Sequence, residues 1–387
     1  MARADDGRVV FIEGALPGEL VEVEIHTAKK DFARATVVEI VERSPRRDTP
    51  SCAHRRAGCG GCDWMHLRPA AQLDAKVEIV AESLRRVGRL DAAIVDRIVH
   101  RGTAVSPFGY RTTIRVVGGP DGTLGFREHA SDRVVPVTSC PIAESKLSRL
   151  LAVIEADEGV ELTLRTSVAT GAVTAIWDKR FRKAIRGIPS DVHIGERAWL
   201  VERVAGRDLK VSAGSFFQSG QQAAELLVAA VSEVAPELAT AHHAVDAYGG
   251  VGLFAATAMA SAAQVTVIES SASACRDAEH NLQGREASVV RAEVTGWTRP
   301  DGTGPTPAVD VVVADPARPG LGRPGVAALA AANAPVIVLV SCDPVSLARD
   351  VGLMAQAGYR PERVEVFDLF PNTHHVETVT RFVPAVV

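Results

Sequence analysis

The spacing of apolar and polar residues divides the chain into segments. Over residues 6–43, short runs alternate apolar and polar side chains between glycine and proline breaks, which predicts a small antiparallel β-barrel. Residues 70–90 carry apolar side chains at spacings of three and four, the pattern of one packed helix face. Short strand-like runs return over residues 100–212 and predict an antiparallel sheet.

After residue 213 the pattern predicts a different architecture. Strand-like apolar runs alternate with helical stretches, which is typical of an α/β protein with a mostly parallel, doubly wound sheet. The predicted organisation is a barrel at 1–46, a cysteine-containing loop at 47–66, a helical segment at 67–98, a central β domain at 99–212 and an α/β domain at 213–387.

Composition narrows the class of protein. The chain has 387 residues, of which 47% are apolar and 23% charged, as in soluble globular proteins. No apolar run is long enough to span a bilayer, and no hydrophobic stretch near the N-terminus indicates a secretory signal. We therefore expect a cytoplasmic protein without a membrane partner.

The net charge is −4 at pH 7, so a nucleic-acid partner would have to bind at local patches of positive charge. Residues 29–56 contain eight Lys or Arg and four Asp or Glu, and residues 179–186 form a second basic cluster around Phe181. Basic runs are typical of solvated surfaces, and a small barrel with a basic edge is also a common RNA platform. Both interpretations stay open at this point.

The six cysteines of a cytoplasmic chain favour metal binding or catalysis over disulfides. Cys52, Cys59 and Cys62 fall within eleven residues, and the intervening glycines allow a loop tight enough for their thiolates to converge. Cys140 is the candidate fourth ligand. Four cysteines suit a structural zinc ion or an iron–sulfur cluster, and the spacing does not distinguish the two.

A glycine-rich turn predicts a cofactor site. Residues 245–252 run from a strand into a turn containing Gly250 and Gly252, and then into a helix. Glu269 ends the following strand, where an acidic residue commonly holds ribose hydroxyls. The turn lacks the Gly-x-Gly-x-x-Gly dinucleotide fingerprint. These features favour S-adenosylmethionine, with NAD as the weaker alternative.

Three further residues lie where predicted strands end or begin. Cys342 follows an apolar run and precedes Asp343-Pro344, Asp315 ends an earlier strand, and Glu377 precedes the last strand. A lone cysteine at such a position most often serves packing. Together with the glycine turn, however, these loops can surround one cleft at the edge where α/β sheets bind ligands.

At these motifs the chain resembles the RNA uridine-C5 methyltransferases, which make 5-methyluridine in tRNA and 23S ribosomal RNA. The matching motifs are Ser341-Cys342-Asp343-Pro344 with Leu347-Ala348-Arg349-Asp350, Phe370-Pro371 through Val376-Glu377, and Phe216-Phe217-Gln218. The chain departs from the family pattern at Asp315-Pro316-Ala317-Arg318, at Leu253 and in the gap between Cys52 and Cys59. The barrel is also expected to lack its first strand.

The resemblance implies a class I S-adenosylmethionine-dependent (Rossmann-like) domain, an N-terminal TRAM barrel of OB type and a central antiparallel β domain with an iron–sulfur site. It implies that Cys342 is the nucleophile and Glu377 the general base. The implied cofactor contacts are Gln218, Tyr248, Gly250, Gly252, Glu269 and Asp315. The implied ligands of a 4Fe–4S cluster, with zinc less expected, are Cys52, Cys59, Cys62 and Cys140.

The resemblance also implies an RNA partner, 23S rRNA before tRNA, with no DNA substrate, and we expect a monomer. Two other functions remain open from the residues. One is a methyltransferase acting on nitrogen or oxygen, which needs no thiol. The other is a non-catalytic RNA-binding iron–sulfur protein, in which Glu377 has no role.

Overall fold

The N-terminal residues form a four-stranded sheet in the computed structural model, which describes residues 1–297 and 308–385. Its strands are β1 (Ala2–Arg3), β2 (Val9–Glu13), β3 (Leu20–Ala28) and β4 (Phe32–Glu42). They lie in the order β1-β2-β4-β3. The prediction of a purely antiparallel barrel is wrong in one pairing, because β2 and β4 run parallel. Where we expected the first strand to be missing, the two-residue β1 pairs antiparallel with β2.

The next segment joins the sheet of the C-terminal part. Its elements are α1 (Ala53–Arg56), α2 (Pro69–Arg86), α3 (Ala92–Ile98) and β5 (Val99–Ala104). Leu73, Val80 and Leu84 are buried on α2, as their spacing predicted, but Val87, which the same spacing includes, is 45% exposed at the C-terminal end of the helix. Each such buried side chain contributes about 1.5–3 kcal/mol relative to an exposed one.

The central part is built mainly from antiparallel strands. Its elements are β6 (Thr113–Gly118), β7 (Leu124–Arg127), β8 (Val134–Pro136), α4 (Ser145–Leu150), β9 (Glu155–Ala156), β10 (Glu161–Thr166), β11 (Val173–Trp177), β12 (Ile185–Arg186), β13 (Val192–Ile194), β14 (Trp199–Val204) and β15 (Arg207–Ser212). Six of them form a sheet in the order β13-β11-β10-β6-β7-β8. Within it only the β11–β13 pair is parallel among the described residues.

The C-terminal part alternates strands and helices. Its elements are α5 (Gln221–Val234), β16 (His243–Ala247), α6 (Leu253–Ala256), β17 (Gln264–Glu269), α7 (Ala272–Asn281), β18 (Ala287–Arg291), β19 (Val311–Ala314), α8 (Gly322–Ala331), β20 (Val336–Ser341), α9 (Pro344–Gln356), β21 (Tyr359–Asp368) and β22 (Glu377–Pro384). The eight-stranded sheet has the order β18-β17-β16-β19-β20-β22-β21-β5. The predicted domain 213–387 also includes residues 298–307 and 386–387, which lie outside the described residues.

This sheet is buried on both faces. Val311 and Val313 of β19 belong to the same buried apolar cluster as residues of helix α5, while Val312 and Ala314 belong to the cluster that includes residues of helices α8 and α9. Such covering by helices is the reason its strands are nearly continuous apolar runs. β22 enters antiparallel between β20 and β21, which brings its first residue next to the end of β20.

Strand β5 lies apart from the six-stranded central sheet, although the predicted central domain began at residue 99. It pairs in parallel with β21 at the edge of the eight-stranded sheet, and α2 packs on α9 and β21. Residues 69–104 therefore supply part of the layer that supports the C-terminal sheet. No helix in the described part of the chain is long and apolar enough to cross a membrane.

Candidate active site

Cys342 lies in the two-residue connection between strand β20 and helix α9. The apolar strand ends at Ser341, and Asp343 caps the helix by accepting hydrogen bonds from Val345 N (3.1 Å) and Ser346 N (2.7 Å). Pro344 occupies the first helical turn, where its missing N–H costs nothing. These neighbours hold the half-buried thiol at the carboxyl edge of the sheet.

Glu377 begins strand β22 on the neighbouring position of that edge. Ser341 is the register partner of Thr378, whose hydroxyl donates to Ser341 O at 3.0 Å. Since the strands are antiparallel, Cys342 and Glu377 are the next residues in the same register. The structure thus brings together a thiol and a buried carboxyl that are distant in sequence.

Asp315 joins them from strand β19. Its carboxyl lies just beyond Ala314, the register partner of Leu339, and accepts a 3.0 Å hydrogen bond from Gln218 Nε2. Gln218 is itself buried in the segment before α5. The predicted residues Gln218, Asp315, Cys342 and Glu377 therefore converge at one edge of the sheet.

Burial of these groups opposes their ionisation. Burial, then the nearby carboxyls of Glu377 and Asp315, raise the pKa of the Cys342 thiol to about 11, and Arg318 acts in the opposite direction. Burial and the Asp315 carboxyl also raise the pKa of Glu377 well above its ordinary value. Burial likewise raises the pKa of Asp315, against the hydrogen bond from Gln218. With a pKa of about 11, the Cys342 thiol is mostly protonated at neutral pH.

The raised pKa predicts how the thiol reacts with an alkylating reagent. Because the pKa of Cys342 is about 11, its thiolate fraction rises about tenfold per pH unit at pH values well below the pKa. The rate of alkylation should therefore rise by the same factor between pH 7 and 9.5. Mass spectrometry of the peptide containing Cys342, after timed iodoacetamide treatment, measures this rate. A rate that levels off below pH 9 would contradict the raised pKa.

The glycine turn follows strand β16 and leaves open space at its tip. Gly249 must be glycine, because a Cβ there would lie 2.7 Å from Val267 Cγ1. Gly250 (φ +55°) and Gly252 (φ +80°) adopt left-handed backbone, and a Cβ on Gly250 would meet nothing within 4 Å. A ligand can therefore come close to the backbone of this turn.

Acidic side chains flank the turn. Glu269 Oε2 accepts from Gly250 N at 3.0 Å, and Glu269 Oε1 accepts from Ser271 N at 2.6 Å. Asp246 is fully buried, and its Oδ2 accepts from Ala255 N at 2.9 Å. Its Oδ1 has no hydrogen-bond partner within residues 1–297 and 308–385, and burial raises the Asp246 pKa to about 7. Tyr248 takes left-handed backbone (φ +60°) beside them.

The four predicted ligand cysteines line one cavity of about 360 Å³. Gly60 allows the cysteine loop to approach the central sheet, because a Cβ there would lie 3.0 Å from Arg127 O and 3.0 Å from His129 N. Burial, then the thiols of Cys140, Cys59 and Cys52, raise the pKa of Cys62 to about 12. In the described residues no group of three or more His, Cys, Asp or Glu side chains is placed to hold a metal ion.

Several residues next to the site were not predicted. Lys76 is fully buried on α2, and its Nζ lies 2.5 Å from Asp368 Oδ1 and donates to Phe370 O at 3.2 Å. Gln72 Oε1 accepts from Asn372 N at 2.6 Å. The sequence offered one signal for these residues, since both are polar and lie next to the apolar face of α2. We had assigned that face to packing alone.

The basic clusters are partly neutralised. Arg47 lies 2.5 Å from Glu19, and this hydrogen bond lowers the pKa of Glu19 to about 2. In the second cluster Arg180 pairs with Asp178, and Arg186 pairs with Asp157. The side chains that remain exposed there include Phe181 and its basic neighbours Lys179, Arg182 and Lys183.

Known proteins match both ends of the chain and its whole length. A TRAM domain model matches residues 1–38, and a tRNA (Uracil-5-)-methyltransferase model matches residues 306–382. An "uncharacterized RNA methyltransferase" of Streptomyces avermitilis is 34% identical over 100% of this chain and 95% of its own. A 23S rRNA (uracil(1939)-C(5))-methyltransferase of Chromohalobacter salexigens is 31% identical over 98% of this chain and 85% of its own. The chain belongs to the RNA uracil-C5 methyltransferase family.

A solved structure of this family confirms the fold. The tRNA (uracil-54, C5)-methyltransferase of Pyrococcus abyssi, in complex with S-adenosyl-L-homocysteine, has a TM-score of 0.71 and 25% identity and covers 98% of both chains. The predicted Rossmann-like domain and N-terminal TRAM domain are thus confirmed. The roles of single residues and the iron–sulfur site stay predictions.

Proposed function

We propose that this chain methylates C5 of uridine in structured RNA, with Cys342 as nucleophile and Glu377 as general base. The observation that supports this most is the meeting of the two groups across the antiparallel β20–β22 pair, at the carboxyl edge of a sheet in this family. A thiol and a buried carboxyl side by side suit a reaction that needs a covalent intermediate and a late proton transfer.

The first bond formed is between Cys342 Sγ and uracil C6. Uracil C5 is a poor nucleophile, but addition of the thiolate at C6 moves the C5=C6 electron pair toward O4, so that C5 becomes an enolate carbon. S-adenosylmethionine, when bound, supplies an electrophilic methyl group and a sulfonium charge that favours the ionised forms of nearby thiol and carboxyl groups. C5 forms the new C–C bond, and the electron pair of the broken S–CH3 bond stays on the donor sulfur.

Glu377 then removes the C5 proton. The electrons of the C5–H bond restore the C5=C6 double bond, and the C6–S bond breaks to release the Cys342 thiolate. Burial of Glu377 suits this role, because a raised pKa makes its carboxylate a stronger base than an exposed one. Asp315 and Gln218 would position the uracil or the methyl donor beside these groups.

The turn and its flanking carboxyls fit S-adenosylmethionine. Gly250 leaves open space, Glu269 lies at the strand end that holds ribose hydroxyls in such folds, and Asp246 has an unpaired buried oxygen. The sulfonium charge of this ligand would favour the ionised forms of the carboxyls of Asp246, Glu269 and Asp315, which lie at or near the ends of β16, β17 and β19. Tyr248 and Gly252 complete the proposed set of contacts.

The Glu269 contact predicts a loss of cofactor affinity. Glu269→Ala should weaken binding of S-adenosylmethionine roughly 10- to 100-fold, because hydrogen bonds between a charged group and its ligand are worth about 1.5–3 kcal/mol. Calorimetric titration measures the Kd. Glu279→Ala, an exposed acid on the adjoining helix α7, is the matched control and should bind as the parent does. Equal Kd values for the two variants would remove Glu269 from the proposed contacts.

We further propose that the cysteine cavity holds a 4Fe–4S cluster. Four cysteines line it, and a set of four thiolates suits either a 4Fe–4S cluster or a zinc ion. The resemblance to cluster-bearing members of the family is what favours the cluster. Cys52, Cys59, Cys62 and Cys140 would be the ligands. The uridine reaction written above needs no electron transfer, so the role proposed for the cluster is structural.

The proposed substrate is 23S rRNA before tRNA. The similar protein named for 23S rRNA is 31% identical, whereas the one named for tRNA is 25% identical. Phe216, 71% exposed and two residues before Gln218, offers an aromatic face on which an unstacked base can lie. The TRAM domain and the exposed basic cluster of residues 179–183 would contact the RNA backbone.

Methyl transfer from tritium-labelled S-adenosylmethionine to 23S rRNA fragments, tRNA and a DNA control tests this function. Digestion to nucleosides should yield 5-methyluridine from one RNA only. A label on nitrogen or a ribose oxygen that survives in Cys342→Ala would identify a methyltransferase without a thiol. RNA binding without methyl transfer, by cluster-loaded protein, would indicate a non-catalytic RNA-binding protein.

A further inference from the structure

The segment that leads to Glu377 is held by residues from the first third of the chain. We name residues 369–376 the base loop. Its hydrogen-bond partners in that part of the chain lie between 261 and 311 positions earlier in the sequence. Tyr110, for example, donates from its hydroxyl to Pro371 O at 3.1 Å. The position of the base therefore depends on elements outside the α/β domain.

The cysteine loop supplies one group of these contacts. His374 Nδ1 lies 2.7 Å from Asp63 Oδ2, and His374 N donates to Asp63 Oδ1 at 3.2 Å. Trp64 N donates to Asn372 O at 2.9 Å. Asp63 and Trp64 directly follow Cys62, whose carbonyl accepts from Arg55 Nε at 3.0 Å. One aspartate thus holds both the side chain and the backbone of a residue three positions before Glu377.

The base loop is also a wall of the cysteine cavity. Thr373, His374 and His375 line this cavity together with the four cysteines. Arg111 lines it too, and its guanidinium lies 5.9 Å from the centre of the Phe370 ring. The cysteine loop and the base loop thus border the same cavity, so a change in the fold of one loop would alter the surroundings of the other.

A second set of contacts fixes the other side of the base loop. Gln72 and Lys76 of α2 bind Asn372 and Phe370, and Asn372 itself adopts left-handed backbone (φ +67°). Asn372 Nδ2 donates to Pro107 O at 2.8 Å. Of the hydrogen bonds that the cysteine loop makes to the base loop, those from Asp63 to His374 lie nearer in sequence to Glu377 than the one from Trp64 to Asn372.

We propose that Asp63 is a positioning residue for Glu377, and that through it the folded four-cysteine loop aligns the general base with the C5 proton. The inference rests on the proposed function, since it assigns Asp63 to the step that Glu377 performs. Asp63 touches neither the thiol nor the glycine turn in the described structure. It should thus affect proton removal and leave thiol addition and methyl transfer unchanged.

The test uses full-length, cluster-loaded enzyme and ordinary uridine RNA. In Asp63→Ala, turnover should fall roughly 10- to 100-fold, since misplacing a catalytic group by about 1 Å can cost that much. Because only the last step is slowed, the methylated Cys342–RNA adduct should accumulate and appear as a shifted band on a denaturing gel. Asp63→Asn keeps an oxygen acceptor for His374 N and should restore part of the rate.

The matched control is Asp74→Ala. Asp74 forms an ion pair of the same length, 2.7 Å, with Arg101, but it lies on α2 and contacts β5 and not the base loop. This variant should turn over as the parent does and accumulate no adduct. Iron and sulfide content and melting temperature are measured for each variant, and all should match the parent.

The outcomes separate the inference from the proposed function. If the parent forms no adduct with 5-fluorouridine RNA, the proposed function itself fails. If the parent does and Asp63→Ala behaves like Asp74→Ala, only the positioning role is overturned. A loss of turnover in Asp63→Ala without accumulated adduct, or with lost iron, would also overturn it, because the defect would then lie in folding, RNA binding or cluster retention.

Discussion

Alanine in place of Cys342 is expected to lower the kcat for uridine methylation at least ~10⁴-fold, as removal of a covalent nucleophile does in other enzymes. Without addition at C6, the uracil C5 carbon has too little electron density to attack a sulfonium methyl group. The half-buried thiol follows strand β20 and belongs to neither of the apolar clusters that pack on this sheet, so the fold should persist. Methyl incorporation into RNA is the measurement.

The Kd for S-adenosylmethionine should stay within about threefold of the parent value in this variant. Val345→Ala is a control, because it shortens a side chain that is 54% exposed at the start of the same helix. Methylation that persists in Cys342→Ala at more than about a hundredth of the parent rate would contradict the nucleophile role.

Glutamine in place of Glu377 is expected to give the second largest effect. The amide keeps the size of the side chain but cannot take a proton, so kcat should fall about 10²- to 10⁴-fold, the usual contribution of a general base. Addition and methyl transfer precede proton removal, and they should still occur once per enzyme. The methylated adduct should therefore accumulate with ordinary uridine RNA.

This variant also has a prediction for stability. Burial raises the pKa of Glu377 in the folded protein above its value in the unfolded chain. At pH 8 the folded protein must therefore either bury a carboxylate or take up a proton, and either one lowers the free energy of unfolding. A neutral glutamine side chain avoids this loss. The melting temperature of Glu377→Gln should be equal to or above that of the parent at pH 8. Glu279→Gln, which changes an exposed glutamate on α7, is the control for the chemical change. A variant that releases product at the parent rate would exclude Glu377 as the base.

The candidate site was predictable because its signals are local. The apolar run before Cys342, the capping Asp343 and the following proline fix a strand–helix junction within seven residues. The glycine turn and Glu269 are likewise set by the strands beside them. In an α/β sheet, strand ends meet at one edge whatever the chain distance between them, so these local signals predicted a common cleft.

The support of the site was not predictable, because it depends on pairing across the chain. Gln72 and Lys76 were recognisable only as polar residues on an apolar helix face, and their partners lie about 300 residues later. Alternation of apolar and polar residues cannot state whether β2 runs parallel or antiparallel to β4. A count of charged residues also includes Arg47, but its buried ion pair with Glu19 leaves its charge unavailable for contacts with RNA.

The most direct test of the covalent mechanism uses RNA substituted with 5-fluorouridine. Fluorine replaces the proton that Glu377 would remove, so addition of Cys342 and methyl transfer should end in a stable protein–RNA adduct. With S-adenosylmethionine and either 23S rRNA fragments or tRNA, we expect a shifted band on a denaturing gel that is absent in Cys342→Ala. A parent enzyme that is folded and cluster-loaded, yet forms no adduct with either RNA, would contradict covalent catalysis by Cys342.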